Sequence, residues 1–308
     1  MRVFVAGATG AIGKQLVPRL VAAGHEVHGM TRRASNQAMP RKQGALPVVA
    51  DALDPGQVAE AVQAAMPDVI VHELTAAGTV SMRHFDRDFA PTNRLRMEGT
   101  RHLLAAGQAV GVRRFVAQSY FATYARAGSA VKSEQDPFDP SPAREMRETV
   151  AAIRHLEHAV LDARWTEGIV LRYGAFYGPG TSLAPGGEQS EMIRKRRYPV
   201  VGDGGGVWSF IHIADAAFAT MAAVEHGTRG VYNVVDDDPA PVAEWLPTLA
   251  QILGAKKPVR VPRFVGRLLA GQAGTMMMTE LRGASNAKAK SELSWRPTHP
   301  SWRDGFRR

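Results

Sequence analysis

The stretch from Gly7 to Gly13 constrains the fold of this chain more than any other segment. It reads Gly-Ala-Thr-Gly-Ala-Ile-Gly and directly follows an apolar run at residues 3–5, which is typical of a buried strand. Apolar residues then recur at helical spacing, beginning with Ile12 and Leu16. The sequence therefore predicts a strand, a tight glycine-rich turn and a helix in direct succession.

Each glycine of this turn has a mechanical reason. Gly7 permits the tight turn, Gly10 lets a pyrophosphate approach the backbone, and Gly13 allows the helix to pack closely on the strand. The pyrophosphate would lie at the helix N-terminus, where free N–H groups and the helix dipole favour an anion. A glycine-rich turn without a ligand is the alternative. We expect a dinucleotide to contact Gly7, Thr9, Gly10, Ala11, Ile12 and Gly13.

The end of the second expected strand indicates which dinucleotide is bound. Folds that bind NAD usually place an acidic residue there, about 20 residues beyond the turn, to bind the ribose 2′-hydroxyl. Here the residues are Met30, Thr31, Arg32 and Arg33, and no carboxylate is present. Two guanidinium groups suit a 2′-phosphate instead, although at least one of them is also expected to be simply exposed. We therefore expect NADP, with NAD as the alternative, contacted by Thr31, Arg32 and Arg33.

Short β-branched runs alternate with longer helical patterns over the first two thirds of the chain. This alternation predicts βαβ units, so we expect an α/β fold with a doubly wound parallel sheet of the Rossmann type. Its strands are expected at residues 3–5, 26–30, 47–50, 69–71, 114–117 and 169–172. The helices between them are expected within 12–21, 58–65, 95–106 and 151–161.

The composition of the sequence changes beyond Gly174, where glycine and proline become frequent but apolar segments continue. This pattern predicts a smaller C-terminal lobe over a cleft at the carboxyl ends of the strands, where ligands bind in open α/β sheets. We expect a cofactor domain at 1–173, a helix and a strand returning to it at 208–235, and a substrate lobe at 174–308. The glycines at 202–206 are expected to form a hairpin turn.

Charge and composition limit the classes of function. The 308 residues include no cysteine, which excludes disulfides, thiolate metal sites and a cysteine nucleophile. The net charge of +9 comes from short basic groups rather than a long stripe with aromatics, so we expect no nucleic-acid partner. No apolar run approaches the roughly 18 residues of a membrane span. The first residues lack a signal-peptide pattern, so we expect a cytoplasmic protein without a membrane partner.

Several motifs together resemble the extended short-chain dehydrogenase/reductase superfamily, in its NAD-dependent epimerase/dehydratase branch, over nearly the whole chain. The glycine spacing of the turn matches, His72-Glu73-Leu74-Thr75 occupies the family's His-Leu-Ala-Ala stretch, and Ser209–Asp215 matches a late His-Val-x-Asp signature. The resemblance implies a bound NAD(P), a small sugar-nucleotide or polyol-like substrate and frequent dimerisation to a homodimer. It also implies cofactor contacts at Asp51, Ala52, Leu74, Thr75, Asn93, Arg172 and Tyr173.

The resemblance breaks at the family's catalytic pair, a Tyr and a Lys four residues later on one helix, in which the phenolate acts as general base. None of the six tyrosines is followed at that spacing by a lysine. When the helix is aligned by Glu157, Thr149 stands at the Tyr position and Ile153 at the Lys position. Ile153, Leu156 and Val160 predict an ordinary apolar helix face.

The partner hydroxyl group of that pair has changed as well. After the fifth strand the family carries two small hydroxyl residues, and here they are Ser119 and Tyr120. Tyr120 could bring a phenol into the cleft from the opposite wall; the alternative is a lining residue with an ordinary pKa near 10. The candidate catalytic residues are therefore Ser119 and Tyr120, with Tyr177 across the cleft.

Other polar groups receive structural interpretations. His155 and His158 lie one turn apart on an expected helix, but the sequence offers no third ligand, so we expect a solvated face and no metal site. Asp215 is expected to cap the N-terminus of a helix rather than to act as an acid.

Three functions remain open at this point. The first is an NAD(P)-dependent epimerase, dehydratase or reductase with a rearranged proton relay and an unknown small substrate. The second is a cofactor-binding sensor or regulatory protein without redox chemistry, and the third is an enzyme of another reaction class that uses the same cleft. The missing pair weighs against the first function, whereas the retained cleft segments around Arg172 and Tyr177 favour an enzyme.

Overall fold

The computed structural model describes residues 1–76 and 78–307. Its central sheet has the spatial order β7-β6-β5-β4-β1-β2-β3, and every neighbouring pair is parallel. The chain winds outward in both directions from β1 and β4, which confirms the expected doubly wound α/β fold. The seven strands are β1 Arg2–Ala6, β2 Glu26–Thr31, β3 Leu46–Val49, β4 Val69–His72, β5 Arg114–Tyr120, β6 Glu167–Tyr173 and β7 Gly230–Val234.

Helices cover both faces of this sheet. One face packs against α1 and α8, and the other packs against α3, α5 and α6. No helix within the described residues is long and apolar enough to cross a membrane. The helices are α1 Ala11–Ala22, α2 Ala38–Lys42, α3 Pro55–Ala65, α4 Phe85–Arg94, α5 Thr100–Val110, α6 Arg147–Asp162, α7 Glu188–Arg194, α8 Ile213–His226, α9 Val242–Ile252, α10 Arg263–Thr279, α11 Ala287–Glu292 and α12 Trp302–Gly305.

Short strand pairs and a separate core build the region over the carboxyl ends of the sheet. Trp208, Trp245 and Phe210 lie at the centre of this core, and their rings contact one another. The short strands pair as Val131–Lys132 with Gly283–Ala284, Ala175–Tyr177 with Phe210–His212, Val200–Val201 with Arg260–Val261, and Val207–Trp208 with Ala240–Pro241.

Three sequence expectations for this region are wrong. The glycines at 202–206 do not close a hairpin, because the strands on either side of them pair with different partners. Asp215 does not cap α8: the cap is His212, whose Nδ1 accepts a hydrogen bond from the Ala214 N–H at 3.3 Å. The helix also begins at Ile213 rather than near Trp208, because two short strands precede it.

The helix expected at 95–106 begins ten residues earlier. Helix α4 runs from Phe85 to Arg94 and continues without a break through a π-helical turn, Leu95–Gly99, into α5. A π-helical turn inside an α-helix is rare and occurs often at functional sites. This turn lies beside the carboxyl ends of β4 and β5, where the functional site is expected.

Candidate functional site

The glycine-rich turn connects β1 to α1. Gly7 has a φ of 101°, and a Cβ there would lie 2.7 Å from the carbonyl oxygen of Glu73. A Cβ on Gly13 would lie 2.3 Å from the carbonyl oxygen of Gly7. Both glycines are therefore required by the packing of the protein itself. A Cβ on Gly10 would lie 3.2 Å from the Gly7 carbonyl oxygen, a tight contact that a shift of a few tenths of an ångström relieves, so Gly10 is less constrained by the protein than Gly7 or Gly13.

The first turn of α1 can hold an anion. Gly10 occupies the cap position, with no side-chain hydrogen bond to the helix, and the first turn contains no acidic residue. The first N–H groups of a helix have no partner within it. Thr9 is half-buried and Ala11 is exposed, whereas Ile12 points into the core. The turn therefore fits the pyrophosphate of a dinucleotide.

The ends of β2 and β3 carry the residues expected at the adenosine side. Thr31 is buried, whereas Arg32 and Arg33 are exposed, and neither arginine forms an ion pair within the described part of the chain. The Asp51 carboxylate accepts a hydrogen bond from the Leu53 N–H at 3.0 Å. Ala52 is buried against the π-helical turn, whose Gly99 faces its Cβ. Both guanidinium groups are thus free to bind an anionic ligand.

A buried hydrogen bond connects the end of β4 to helix α5 at Thr100. Burial lowers the pKa of His72 to about 4, so its imidazole is neutral at pH 7. It contacts the Thr100 hydroxyl at 3.0 Å and accepts a hydrogen bond from the Leu74 N–H at 3.3 Å. Thr75 is exposed beside it. Asn93 is buried, and its Nδ2 donates to the Thr149 hydroxyl at 3.0 Å.

Arg172 and Tyr173 end β6 with their side chains occupied by the protein. Arg172 forms a buried two-point contact with Glu157, with distances of 2.9 and 2.6 Å, and its guanidinium lies over the Tyr124 and Phe138 rings. Tyr173 is buried, and its hydroxyl contacts Glu73 and Thr220. Only the backbone of these two residues is left to meet a cofactor, and their assignment to the cofactor stays a prediction.

The three candidate catalytic hydroxyls fall into different surroundings. Ser119 is buried and donates to Glu157 at 2.6 Å, in the same cluster as Arg172. Tyr120 is half-buried at the end of β5, and burial raises the pKa of its phenol although the nearby Arg96 cation lowers it. Tyr177 is buried against His212 and Phe306, and it contacts neither of the other two. The structure brings together Ser119, Glu157 and Arg172, but not the three hydroxyls.

Helix α6 carries Thr149 and Ile153, the residues that the sequence alignment by Glu157 predicts at the family's Tyr and Lys positions. Thr149 is buried, and its hydroxyl is the acceptor of the Asn93 amide. Ile153 is 2% exposed and belongs to the apolar face expected from the sequence. The far end of the same helix keeps Glu157, which binds both Arg172 and Ser119. Helix α6 therefore keeps the contact of Glu157 with the sheet, and it has no titratable side chain at positions 149 and 153.

Comparison with known proteins agrees with this arrangement. The family model described as "NAD dependent epimerase/dehydratase family" matches residues 3–235. The chain belongs to the NAD-dependent epimerase/dehydratase family. Its cofactor class is therefore NAD(P), and the resemblance inferred from the sequence motifs is confirmed.

Named members of the family span several activities. A "3-diazoavenalumate denitrifying reductase" from a Streptomyces species is 44% identical over 313 residues, covering 100% of both chains. A quinoline-oxide ketoreductase from Stigmatella aurantiaca is 27% identical and covers 94% of this chain and 84% of its own. A UDP-glucose 4-epimerase from Thermotoga maritima with UDP-glucose has a TM-score of 0.79 at 22% identity, covering 100% and 96% of the two chains.

Two buried ionisable residues of the site were missed by the sequence reasoning. Glu73 stands where the family stretch has leucine, and burial raises its pKa to about 8. Its Oε1 lies 2.9 Å from the Tyr173 hydroxyl, which is also 2.7 Å from Thr220 Oγ1. One phenolic proton cannot serve both acceptors, so a protonated Glu73 completes the network. The departure from leucine was the available signal.

Arg96 is the second missed residue. It lies on the π-helical turn, is 8% exposed, and donates from Nη1 to Asn93 Oδ1 at 3.1 Å. Its spacing of three residues from Asn93 places both side chains on one helix face, which could have drawn attention to it.

His212, Asp215 and His299 are close enough together to be considered as metal ligands. However, the Asp215 carboxylate already accepts hydrogen bonds from the N–H groups of Thr298 and His299, at 3.0 and 2.8 Å, and contacts both of their side chains. The two imidazoles stack with a centroid distance of 3.8 Å. These hydrogen bonds connect the C-terminal segment at Thr298 and His299 to Asp215 on α8. The expected absence of a metal site stays a prediction.

Proposed function

We propose that this chain is a nicotinamide-dependent reductase that replaces a diazo group by hydrogen and releases dinitrogen. The observation that carries the proposal is the environment of Thr149 and Ile153: a buried hydroxyl that accepts from the Asn93 amide and an apolar core side chain stand at the two positions that align with the family's Tyr and Lys, and neither is an ionisable group. The full-length similarity to a denitrifying reductase that is named for a diazo compound supports it.

The chemistry explains why such an enzyme can do without the Tyr–Lys pair. A bound reduced nicotinamide supplies a hydride. When a hydride adds to a ketone, charge develops on oxygen, and a positioned acid must deliver a proton. When a hydride replaces a diazonium group, a C–H bond forms, the C–N bond breaks, and its electron pair leaves with neutral N2. No proton is consumed, so neither a phenol nor a lysine is needed.

The residues of this chain then have binding roles. The Gly7–Gly13 turn would hold the pyrophosphate, and Arg32 and Arg33 would hold the 2′-phosphate of NADP, the preferred cofactor. Ser119 would support the cleft wall through Glu157. Tyr120, whose raised phenol pKa keeps it neutral at pH 7, would line the cleft.

Four further assignments belong to this proposal. The division into a cofactor domain at 1–173 with 208–235 and a substrate lobe at 174–308 places the substrate between them. The adenosine would meet Asp51 and Ala52, with Leu74 and Thr75 beneath the dinucleotide. A cytoplasmic location and a homodimer are also proposed, the latter from the resemblance to the superfamily.

The test uses a matched pair of aromatic carboxylates, 4-diazoniocinnamate and 4-acetylcinnamate. Each is mixed with enzyme and NADPH carrying deuterium at the transferred position. We expect deuterated cinnamate and dinitrogen from the diazonium ion, at a rate that rises with enzyme concentration, and no reduction of the ketone. The Gly10→Val protein serves as the control for reduction without enzyme.

Reduction of the ketone without enzyme-dependent reduction of the diazonium ion would overturn the proposal in favour of an ordinary ketoreductase. Binding of NADPH without turnover of either compound would also overturn it, and would support the alternative of a cofactor-binding sensor.

A further inference from the structure

Arg96 carries a buried charge that has no carboxylate partner. It is 8% exposed, yet no acidic side chain lies within 4.0 Å of its guanidinium in residues 1–76 or 78–307. Its one hydrogen bond to a described residue is the neutral contact with Asn93. Every other arginine that is buried to this degree in the described chain is paired: Arg172 is held by Glu157.

The unpaired charge persists at physiological pH. Burial lowers the pKa of the Arg96 guanidinium to about 10, so it remains protonated at pH 7. The neighbouring His72 is neutral, because burial lowers its pKa. A buried cation without a counter-charge carries a desolvation penalty that no carboxylate in the described part of the chain offsets. Protein interiors rarely retain such a group unless it has an anionic partner.

The free edge of Arg96 keeps some contact with solvent, although the residue is largely buried. Its Nε and Nη2 atoms donate to no described residue, and neither atom is sealed off from solvent. These two N–H directions form one side of the planar guanidinium fork, which matches the two oxygens of a carboxylate.

Aromatic rings surround this position. The guanidinium lies 5.7 Å from the centre of the Phe89 ring, and Tyr120 is near enough for the Arg96 charge to lower the pKa of its phenol. Tyr198 reaches Tyr120 from the C-terminal lobe. Asn93 links Arg96 to Thr149, the position that holds the catalytic phenol in the family. The cation therefore lies beside the reaction centre, among flat apolar walls.

We propose that Arg96 binds the carboxylate of the substrate, so that the enzyme acts on aromatic carboxylates. This proposal rests on the proposed function, because it names the substrate class of the same site. The π-helical turn positions the guanidinium, Asn93 orients it through Nη1, and the remaining edge receives the substrate oxygens. Arg96 thus fixes the orientation of the substrate where the family uses a Tyr–Lys pair.

The test measures binding without redox chemistry. Cinnamate and its uncharged amide, cinnamamide, are titrated by calorimetry into protein saturated with NADP⁺. We expect wild type to bind cinnamate at least about tenfold more tightly, in line with a charge-assisted hydrogen bond. Arg96→Met should abolish this preference, and Arg96→Lys should keep part of it. Arg94→Met is the matched control, since Arg94 is exposed and pairs with Glu98 at 2.9 Å.

The outcomes separate the two proposals. Equal binding of cinnamate and cinnamamide to wild type would overturn the carboxylate site without any variant, even if Arg96→Met fails to fold. A larger loss of NADP⁺ affinity than of cinnamate affinity in Arg96→Met would also overturn it, because the cation would then serve the cofactor. A clear cinnamate preference in a protein that does not reduce the diazonium ion would retain the site and reject the denitrifying function.

Discussion

The Gly7–Gly13 turn and helix α6 belong to the same sheet-and-helix architecture, but they tolerate change differently. In the turn, the Cβ positions of Gly7 and Gly13 are blocked by backbone atoms of the protein itself, so fold and binding depend on the same residues. In α6, the structural contact lies at Glu157, whereas the family's chemical positions are one and two turns earlier. Those positions now hold Thr149 and Ile153.

Under the proposed function, this difference explains how a chain can keep the family's cofactor site while its chemistry changes. The Glu157–Arg172–Ser119 cluster fixes α6 against β5 and β6 without help from a catalytic pair. Loss of that pair leaves the sheet and the turn intact. Substitution of Gly7 or Gly13 in the turn would instead disturb the backbone packing of the protein as well as ligand binding. The predictions below test each half of this comparison.

The largest effect is expected from Gly10→Val. A side chain at Gly10 meets the Gly7 carbonyl oxygen at 3.2 Å, which a small shift relieves in the free protein, but that side chain occupies the approach of the pyrophosphate. We expect cofactor binding to be lost, by at least about 100-fold in Kd, with an unchanged circular dichroism spectrum. Gly13→Val is the contrast, because its Cβ would clash at 2.3 Å and should lower the melting temperature as well. Normal NADPH affinity in Gly10→Val would show that the turn does not hold the dinucleotide.

The turn was predictable from the sequence because its signal is local. A strand, three spaced glycines and a helix follow within about twenty residues, and each glycine has a steric reason that does not depend on distant contacts. Arg96 and Glu73 were not predictable as buried groups, because their environments are made by residues far along the chain. Glu73 meets Tyr173 and Thr220, and Arg96 lies near Tyr120. The hairpin expected at 202–206 failed for the same reason, since the partner strands lie near residues 240 and 260.

Glu73 gives the second prediction, since its backbone packs directly against Gly7 of the turn. Its folded-state pKa is about 8, raised by burial above the ordinary 4.5. Between these values the folded state retains a proton that the unfolded state releases, so the free energy of unfolding falls as pH rises from about 4.5 to about 8, and this group causes no further decline above that pH. Glu73→Gln should remove this slope and raise the free energy of unfolding at about pH 9 by on the order of 3–5 kcal/mol. Urea denaturation at a series of pH values measures it.

A matched control for this titration is Glu60→Gln, which alters an exposed carboxyl on α3. Parallel stability curves for wild type and Glu73→Gln across this pH range would contradict a buried, protonated Glu73.

Helix α6 gives the third prediction. Ile153 packs in the core, so Ile153→Ala should lower the free energy of unfolding by about 2–4 kcal/mol through lost packing. His155→Ala, an exposed change on the same helix, should alter it by less than about 0.5 kcal/mol. If Ile153→Ala remained as stable as wild type but lost turnover, this position would still have a chemical role, and the contrast between turn and helix would fail.

The smallest effect is expected at the rim of the cofactor site, in the double variant Arg32→Ala, Arg33→Ala. Both side chains are exposed, so solvent weakens any ion pair they form with a 2′-phosphate. We expect NADPH to bind wild type more tightly than NADH, and the double variant to lose about tenfold in NADPH affinity while its NADH affinity changes little. Calorimetric titration of both cofactors, at low and high salt, measures the preference and its screening. Since neither arginine packs in the core, the melting temperature should stay the same, which separates this loss from that of Gly13→Val. Undiminished NADPH affinity in the double variant would mean that the turn binds the pyrophosphate without any selection at the 2′ position, and the preference for NADP would then have to be abandoned.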